Sequence, residues 1–594
     1  MEAIYYLGAT LKAAGKTDEA YTNFYKATWS KAWKAVGYYS LAEIATGRGD
    51  MTAALDFVNR SIDSDALSIR TQNLKAAVLR HMGRPKEALQ VLASAAHKAD
   101  PLDVRSMAER WLASKTPEAA RVMSSTMNEH PATAQETAAE YLSAGLWQDG
   151  LDVLRQATAA APDKARVNAM VYYYLGYFAE KLGQAPKASE YYRLAMTMPP
   201  DYVFPFQNEA IDVLRAAMKA NPRDARAPYY LGNLLYDWQP EEATRMWEAS
   251  AALDPSFSIV HRNLATAYTH QKSGSDLNKS ITELEKAVSL ERKYPLHFTE
   301  LDDAYTQAGV PIEKRLPLFE KNADVVAQRD DAQNRAVALK VAMGKYDDAI
   351  QMMTGRKFAV AEGANLNVGE HWTNAHLLRG QQNIAAKRYQ EALTDLQTAV
   401  TLPANLPSGG MGRGGAGSRG TELAYWTGVA YDAMGDRAKA AESWNSGIAP
   451  PSAGGGRRGA SGPAVGGGPP VTWGSSAVGA GFGAGNAGGG AQSYYQAMCY
   501  QKLGQTERAR QLFQGLVESG QRALQQPQQT GGGGRRGGSA RQQSPRVRLA
   551  DAHYMMGLGY LGLNDREKAK AELTQAVESS PDLLGARAAL AMLK

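Results

Sequence analysis

Small and apolar residues recur at fixed places along the first hundred residues. Leu7, Gly8, Leu11, Gly15, Ala20, Phe24 and Ala27 are matched 34 residues later by Leu41, Ala42, Ala45, Gly49, Ala54 and Val58. Another 34 residues bring Ala76, Leu79, Gly83, Ala88, Leu92 and Ala95. Within each unit the apolar positions fall three and four apart, which gives a helix one buried face. The central glycine ends the first helix, because a left-handed cap suits a residue without a Cβ. Each unit thus predicts a hairpin of two antiparallel helices, with small residues at the eighth and twentieth places letting them approach closely. The pattern returns over 145–162, 175–200, 229–255, 264–287, 380–396, 428–444, 497–513 and 557–581. Residues 101–130 and 296–330 are helical but match poorly, and 582–594 read as a solvating final helix.

This 34-residue period resembles the tetratricopeptide repeat. The resemblance implies an all-α fold, a right-handed α-α superhelix of about a dozen clear hairpins. It also settles Gly15-Lys16-Thr17, which looks like the end of a phosphate-binding loop. Thr10 stands where the earlier glycine of such a loop belongs, and no strand leads in, so the triplet is an inter-helix turn. In this family the second, fifth, ninth, twelfth and thirteenth positions face a concave groove. Carried onto this chain they give Met170, Tyr173, Tyr177, Glu180 and Lys181, then Arg226, Tyr229, Asn233, Tyr236 and Asp237, then Arg262 and Thr266. Tyrosine faces stack while amides hydrogen-bond, so the expected occupant is an extended peptide, or else a sugar. The lysine and asparagine clamp that some relatives use for a terminal carboxylate is not assembled.

Composition changes the picture in three places. Residues 404–420, 449–492 and 527–544 hold 29 of the 57 glycines. They read as disordered Gly/Arg-rich inserts between hairpins, since they cannot bury enough apolar surface to offset chain entropy. Around them the chain divides into three regular repeats over 1–100, a partly degenerate array over 101–403, single repeats at 421–448 and 493–526, and a last repeat with its capping helix at 545–594. The formal charge of +6 belongs to the inserts, because their seven arginines exceed it. Arg-Gly tracts bind nucleic acid when aromatics are interleaved to stack on bases. Only Trp473 and Phe482 qualify and neither adjoins an arginine pair, so nucleic acid is not the expected partner.

No reactive centre is legible. Cys499 is the single cysteine and reads as core. His371 and His376 are off the spacing that puts two metal ligands on one helix face, and read as solvated or capping. The acidic pairs Glu241-Glu242, Asp302-Asp303, Asp330-Asp331 and Asp347-Asp348 mostly suit helix starts. No metal, cofactor or catalytic residue is expected. No apolar run reaches the roughly 20 residues of a membrane span, and Met1 opens into an amphipathic pattern without a leader. The chain as given reads as cytoplasmic.

Several stretches resemble a narrower group: "FYKATWSKAWKAVGYYSLAEIATGRGD" (24–50), "NLKAAVLRHMGRPKEAL" (73–89), "APYYLGNLLYDWQPEEATRMWEASAALDPSFSIVHRNLATAY" (227–268) and "EKRLPLFEKNADVVAQRDD" (313–331). They are similar to the repeat half of bacterial proteins whose N-terminal half is a β-rich domain resembling galactose mutarotases. The loop at 356–372 keeps Phe358, Glu362 and Gly363 of that group's signature, with Ala361 and Ala364 departing from it. The resemblance implies a non-catalytic scaffold for protein or interdomain contacts, the partner being a peptide in the groove or an upstream β-rich domain. The alternatives are a glycan-binding component of an enzyme whose catalytic domain lies upstream, and an RNA scaffold acting through the inserts.

Overall fold

The structure is a computed structural model that describes residues 1–271, 274, 276–359, 367–406, 419–449, 487–525 and 545–593. Among these, every regular element is a helix, and no helix is long and apolar enough to cross a membrane. The fold class is the one the period predicts. The three glycine-rich inserts fall almost wholly outside the described residues, as do Glu362 and Gly363.

The packing reason for the period is visible atom by atom. A Cβ placed on Gly8 would lie 2.9 Å from the Phe24 ring, and one on Gly176 would lie 2.4 Å from that of Tyr192. The same contact recurs between Gly428 and Trp444 at 2.3 Å, and between Gly557 and Leu573 at 2.7 Å. Each small residue on the first helix of a hairpin therefore receives the large residue sixteen places later on the second. The turns between them carry Gly15, Gly49, Gly83, Gly183, Gly435 and Gly504 at positive φ.

Residues Met1–Ala267 form one compact unit. It runs from Glu2–Ala13 and Thr17–Ala27, through Lys31–Gly47 and Met51–Ser64, to Arg226–Leu235 and Pro240–Leu253. Its chain curls enough for distant helices to touch. Gly145 packs backbone to backbone on Gly47, and Ser143 Oγ donates to Glu209 at 2.8 Å. Arg80 donates to Asp149 at 3.0 Å and to Glu109 at 3.3 Å. The poorly matched stretch 101–130 still forms the hairpin Val104–Ser114 and Pro117–Glu129, with Lys115 taking the left-handed cap in place of glycine.

Residues Tyr268–Lys594 form the second unit. Here the last helix, Leu584–Ala591, is not a solvated end. Leu584 joins the core built by Phe298, Ile312 and Leu316, and Ala586 and Ala589 join the one built by Tyr494, Tyr554 and Leu558. Asp302 and Asp303 lie inside helix Pro295–Ala308 rather than at its start. Asp302 and Asp582 both bind Arg315, which is fully buried, at 2.8 Å and 2.6 Å. Two further expectations are corrected by the same burial. His371 and His376 sit on helix Val368–Ala385, which runs through the core, and are buried, not solvated. His376 Nδ1 is 2.8 Å from Asp395, and burial pushes His371 down to about 4. Cys499 is fully buried as expected.

Candidate binding cleft in the first unit

The curl of the first unit encloses a cleft of about 1290 Å³. One wall comes from helices Glu2–Ala13 and Lys31–Gly47, which present Tyr5 and Lys12, and Val36, Tyr39 and Glu43. Residues 36, 39 and 43 fall three and four apart, so one helix face carries them all. The other wall comes from Tyr177 and Lys181 of Ala169–Lys181, and Asp212 and Arg215 of Ala210–Ala220.

Its charges are balanced. Lys12, Arg48, Arg70, Lys181 and Arg215 face Asp18, Glu43, Asp65, Glu209 and Asp212. Lys12 Nζ donates to Glu43 at 2.7 Å, and Arg48 to Asp18 at 2.5 Å. Lys181 Nζ stands 4.9 Å from the centre of the Tyr177 ring. Burial, reinforced by the Glu43 carboxylate, drives the Tyr39 phenol far above its ordinary range, and burial raises Tyr177 as well. Both stay neutral hydroxyls able to donate and accept. A polyphosphate chain calls for a clear cationic excess; this lining suits a chain that carries its own donors, acceptors and mixed charges.

Of the groove positions inferred from sequence, Tyr177 and Lys181 line this cleft. The others lie outside it, most of them in contacts within or between hairpins. Met170 is buried, and buried Tyr173 donates to Asp224 at 2.9 Å. Glu180 accepts from Tyr192 at 3.0 Å. Arg226 pairs with Asp254 at 3.2 Å and lies 3.6 Å over the Phe257 ring, which meets the Tyr229 ring edge-on. Asn233 accepts from Trp247 at 3.1 Å and Asn263 at 2.9 Å. The Tyr236 hydroxyl reaches the Thr266 carbonyl at 3.5 Å, and the Thr266 hydroxyl donates to that of Arg262 at 3.2 Å. Asp237 is exposed beyond the helix end. Phe358 is buried, its N–H donating to the Asn405 carbonyl at 3.3 Å.

Tyr5, Lys12, Tyr39 and Glu43 escaped the sequence reading although the signal was present. They occupy the fifth and twelfth places of the first repeat and the fifth and ninth of the second. Among the described residues no cluster of three or more His, Cys, Asp or Glu could hold a metal.

Comparison with known families finds the tetratricopeptide repeat at residues 136–202, 492–519 and 550–583. Over these three stretches the chain carries tetratricopeptide repeats. Solved structures similar to it include the crystal structure of YrrB, described as a TPR protein with an unusual peptide-binding site. The two are 16% identical over 40% of this chain and 95% of that one, with a TM-score of 0.15. The crystal structure of MamA is 20% identical over 37% of this chain and 95% of that one, with a TM-score of 0.15. The APC/C hetero-tetramer Cut9–Hcn1 is 13% identical over 93% of this chain and 95% of the matched one, with a TM-score of 0.25.

Proposed function

We propose that this tetratricopeptide-repeat protein is a protein-interaction scaffold whose first unit docks an extended segment of a partner in the cleft between Tyr39 and Tyr177. The observation carrying this reading is the cleft lining. Neutral phenols, a lysine over an aromatic ring, and five cationic groups matched by five carboxylates meet the needs of a peptide backbone with mixed side chains. The occupant is identified by panning a random dodecapeptide library on the full chain. Enriched sequences are expected to bind with an affinity that falls at least about tenfold when Tyr177→Ala and Lys181→Glu are combined, the loss typical of a central aromatic anchor. Enriched peptides that bind the double variant as tightly as the parent would overturn the assignment.

A second reading concerns the first hairpin, where Tyr6, Leu7, Tyr25 and Trp29 stand exposed, Trp29 by 71%. Such a face suits a folded neighbour, and the resemblance of 24–50 and 227–268 to β-rich two-domain proteins supplies its character. Linking that β-rich domain to the chain is expected to slow amide exchange over residues 2–27, and unchanged exchange there speaks against it.

A further inference from the structure

The second unit holds its own cavity, of about 460 Å³, and nothing in the cleft reading uses it. Five helices surround it: Val368–Ala385, Gly420–Ala433, Ala487–Lys502, Pro545–Gly562 and Leu584–Ala591. Its wall is aromatic. The rings of Tyr425 and Tyr495 lie 5.6 Å apart, those of Tyr494 and Tyr495 5.1 Å, and those of Tyr425 and Trp426 5.2 Å. Leu558 and Leu584 complete the apolar lining.

Two features define what could enter. The cavity's one cation and one anion already satisfy each other: Arg419 donates to Glu422 at 2.7 Å, and Gln381 donates to the other oxygen of Glu422 at 3.3 Å. An entering charge would lose its hydration with no free counter-charge to meet it. In contrast, the hydroxyls of Tyr425, Tyr494 and Tyr554 bond to nothing among the described residues, although all three side chains are buried. Burial drives all three phenols upward, Tyr425 to about 12, so they remain neutral donors.

We propose that this cavity binds a neutral, flat, fused-ring aromatic molecule bearing a hydroxyl or carbonyl oxygen. Its size lies in the range of small-molecule pockets, roughly 300–1,000 Å³. The tyrosine and tryptophan rings offer offset and edge contacts to a planar ligand, while the open hydroxyls fix its oxygen.

The test titrates the full chain with 2-naphthol, followed by the fluorescence of probe and protein, beside 2-naphthoate as the charged analogue of similar shape. One saturable site for 2-naphthol is expected, with 2-naphthoate at least about tenfold weaker. The triple variant Tyr425→Phe, Tyr494→Phe, Tyr554→Phe keeps every ring and is expected to weaken 2-naphthol about fivefold. Ala588→Phe, on the lining of the terminal helix, is expected to abolish the site while circular dichroism stays unchanged. Absence of saturable binding to the parent chain overturns the proposal, as does equal affinity for the naphthoate, or parent-like binding by the triple variant.

Discussion

Gly145 bears two constraints at once. Its φ is +68°, and a Cβ there would lie 2.8 Å from the Gly47 Cα. Gly183 has a similar φ of +72° with open space where its Cβ would be. Alanine at 183 is therefore expected to cost about 1 kcal/mol from backbone strain alone. At 145 it adds an overpacking cost, for a total of about 2–4 kcal/mol. Thermal unfolding of the two single variants checks the order, and equal losses would mean that the Gly47 contact contributes nothing. Asp551 gives a pH-dependent counterpart. Its buried Oδ2 has no hydrogen-bond partner, and burial raises it to about 6. A carboxyl whose pKa rises on folding binds its proton more tightly in the folded state. Its contribution is complete below about pH 4 and is lost as the pH climbs through 6. Asp551→Asn is expected to stabilise the chain by about 2 kcal/mol at pH 7.5, with the gain gone at pH 4. A gain independent of pH would contradict it. The repeat glycines were legible because backbone sterics act locally. The burial of His371 and His376 was not, because it is decided by helices that the chain brings in from elsewhere.

At the scale of elements, the hairpins follow from the period, while the closure of the second unit does not. Arg315 sits in a stretch whose repeat pattern is degenerate, and one of its partners, Asp582, lies 267 residues away in sequence. No spacing rule connects them. Helix Leu584–Ala591 reads from the sequence as a solvating end, yet its alanines pack in the core, directly after the Asp582 that Arg315 binds. Arg315→Met would leave Asp302 and Asp582 buried without their shared cation, an expected loss of about 3–5 kcal/mol. Amide exchange should then quicken first over residues 584–591 and 295–308. Quickening spread evenly over the second unit would show that the pair does not tie these elements. The buried Cys499 thiol, pushed up to about 12, should resist iodoacetamide in the folded chain, and fast alkylation would contradict its core placement.

At the scale of the whole molecule, the chain divides after Ala267 into two compact units, each with a cavity of different character. The repeat class could be read from one sequence, because it follows from a fixed period. Which inward positions share a cleft could not, since that depends on how tightly the repeats curl. Tyr177 and Lys181 therefore meet Tyr39 and Glu43 across about 1290 Å³, while Tyr229 and Asn233 pack into neighbouring hairpins. The most direct test of the scaffold account is hydrogen–deuterium exchange on the full chain with and without a selected dodecapeptide. The account predicts slowed exchange in Lys31–Gly47 and Ala169–Lys181 together, and none across residues 584–591. Protection confined to other helices, with both cleft walls exchanging as in the free protein, would contradict it.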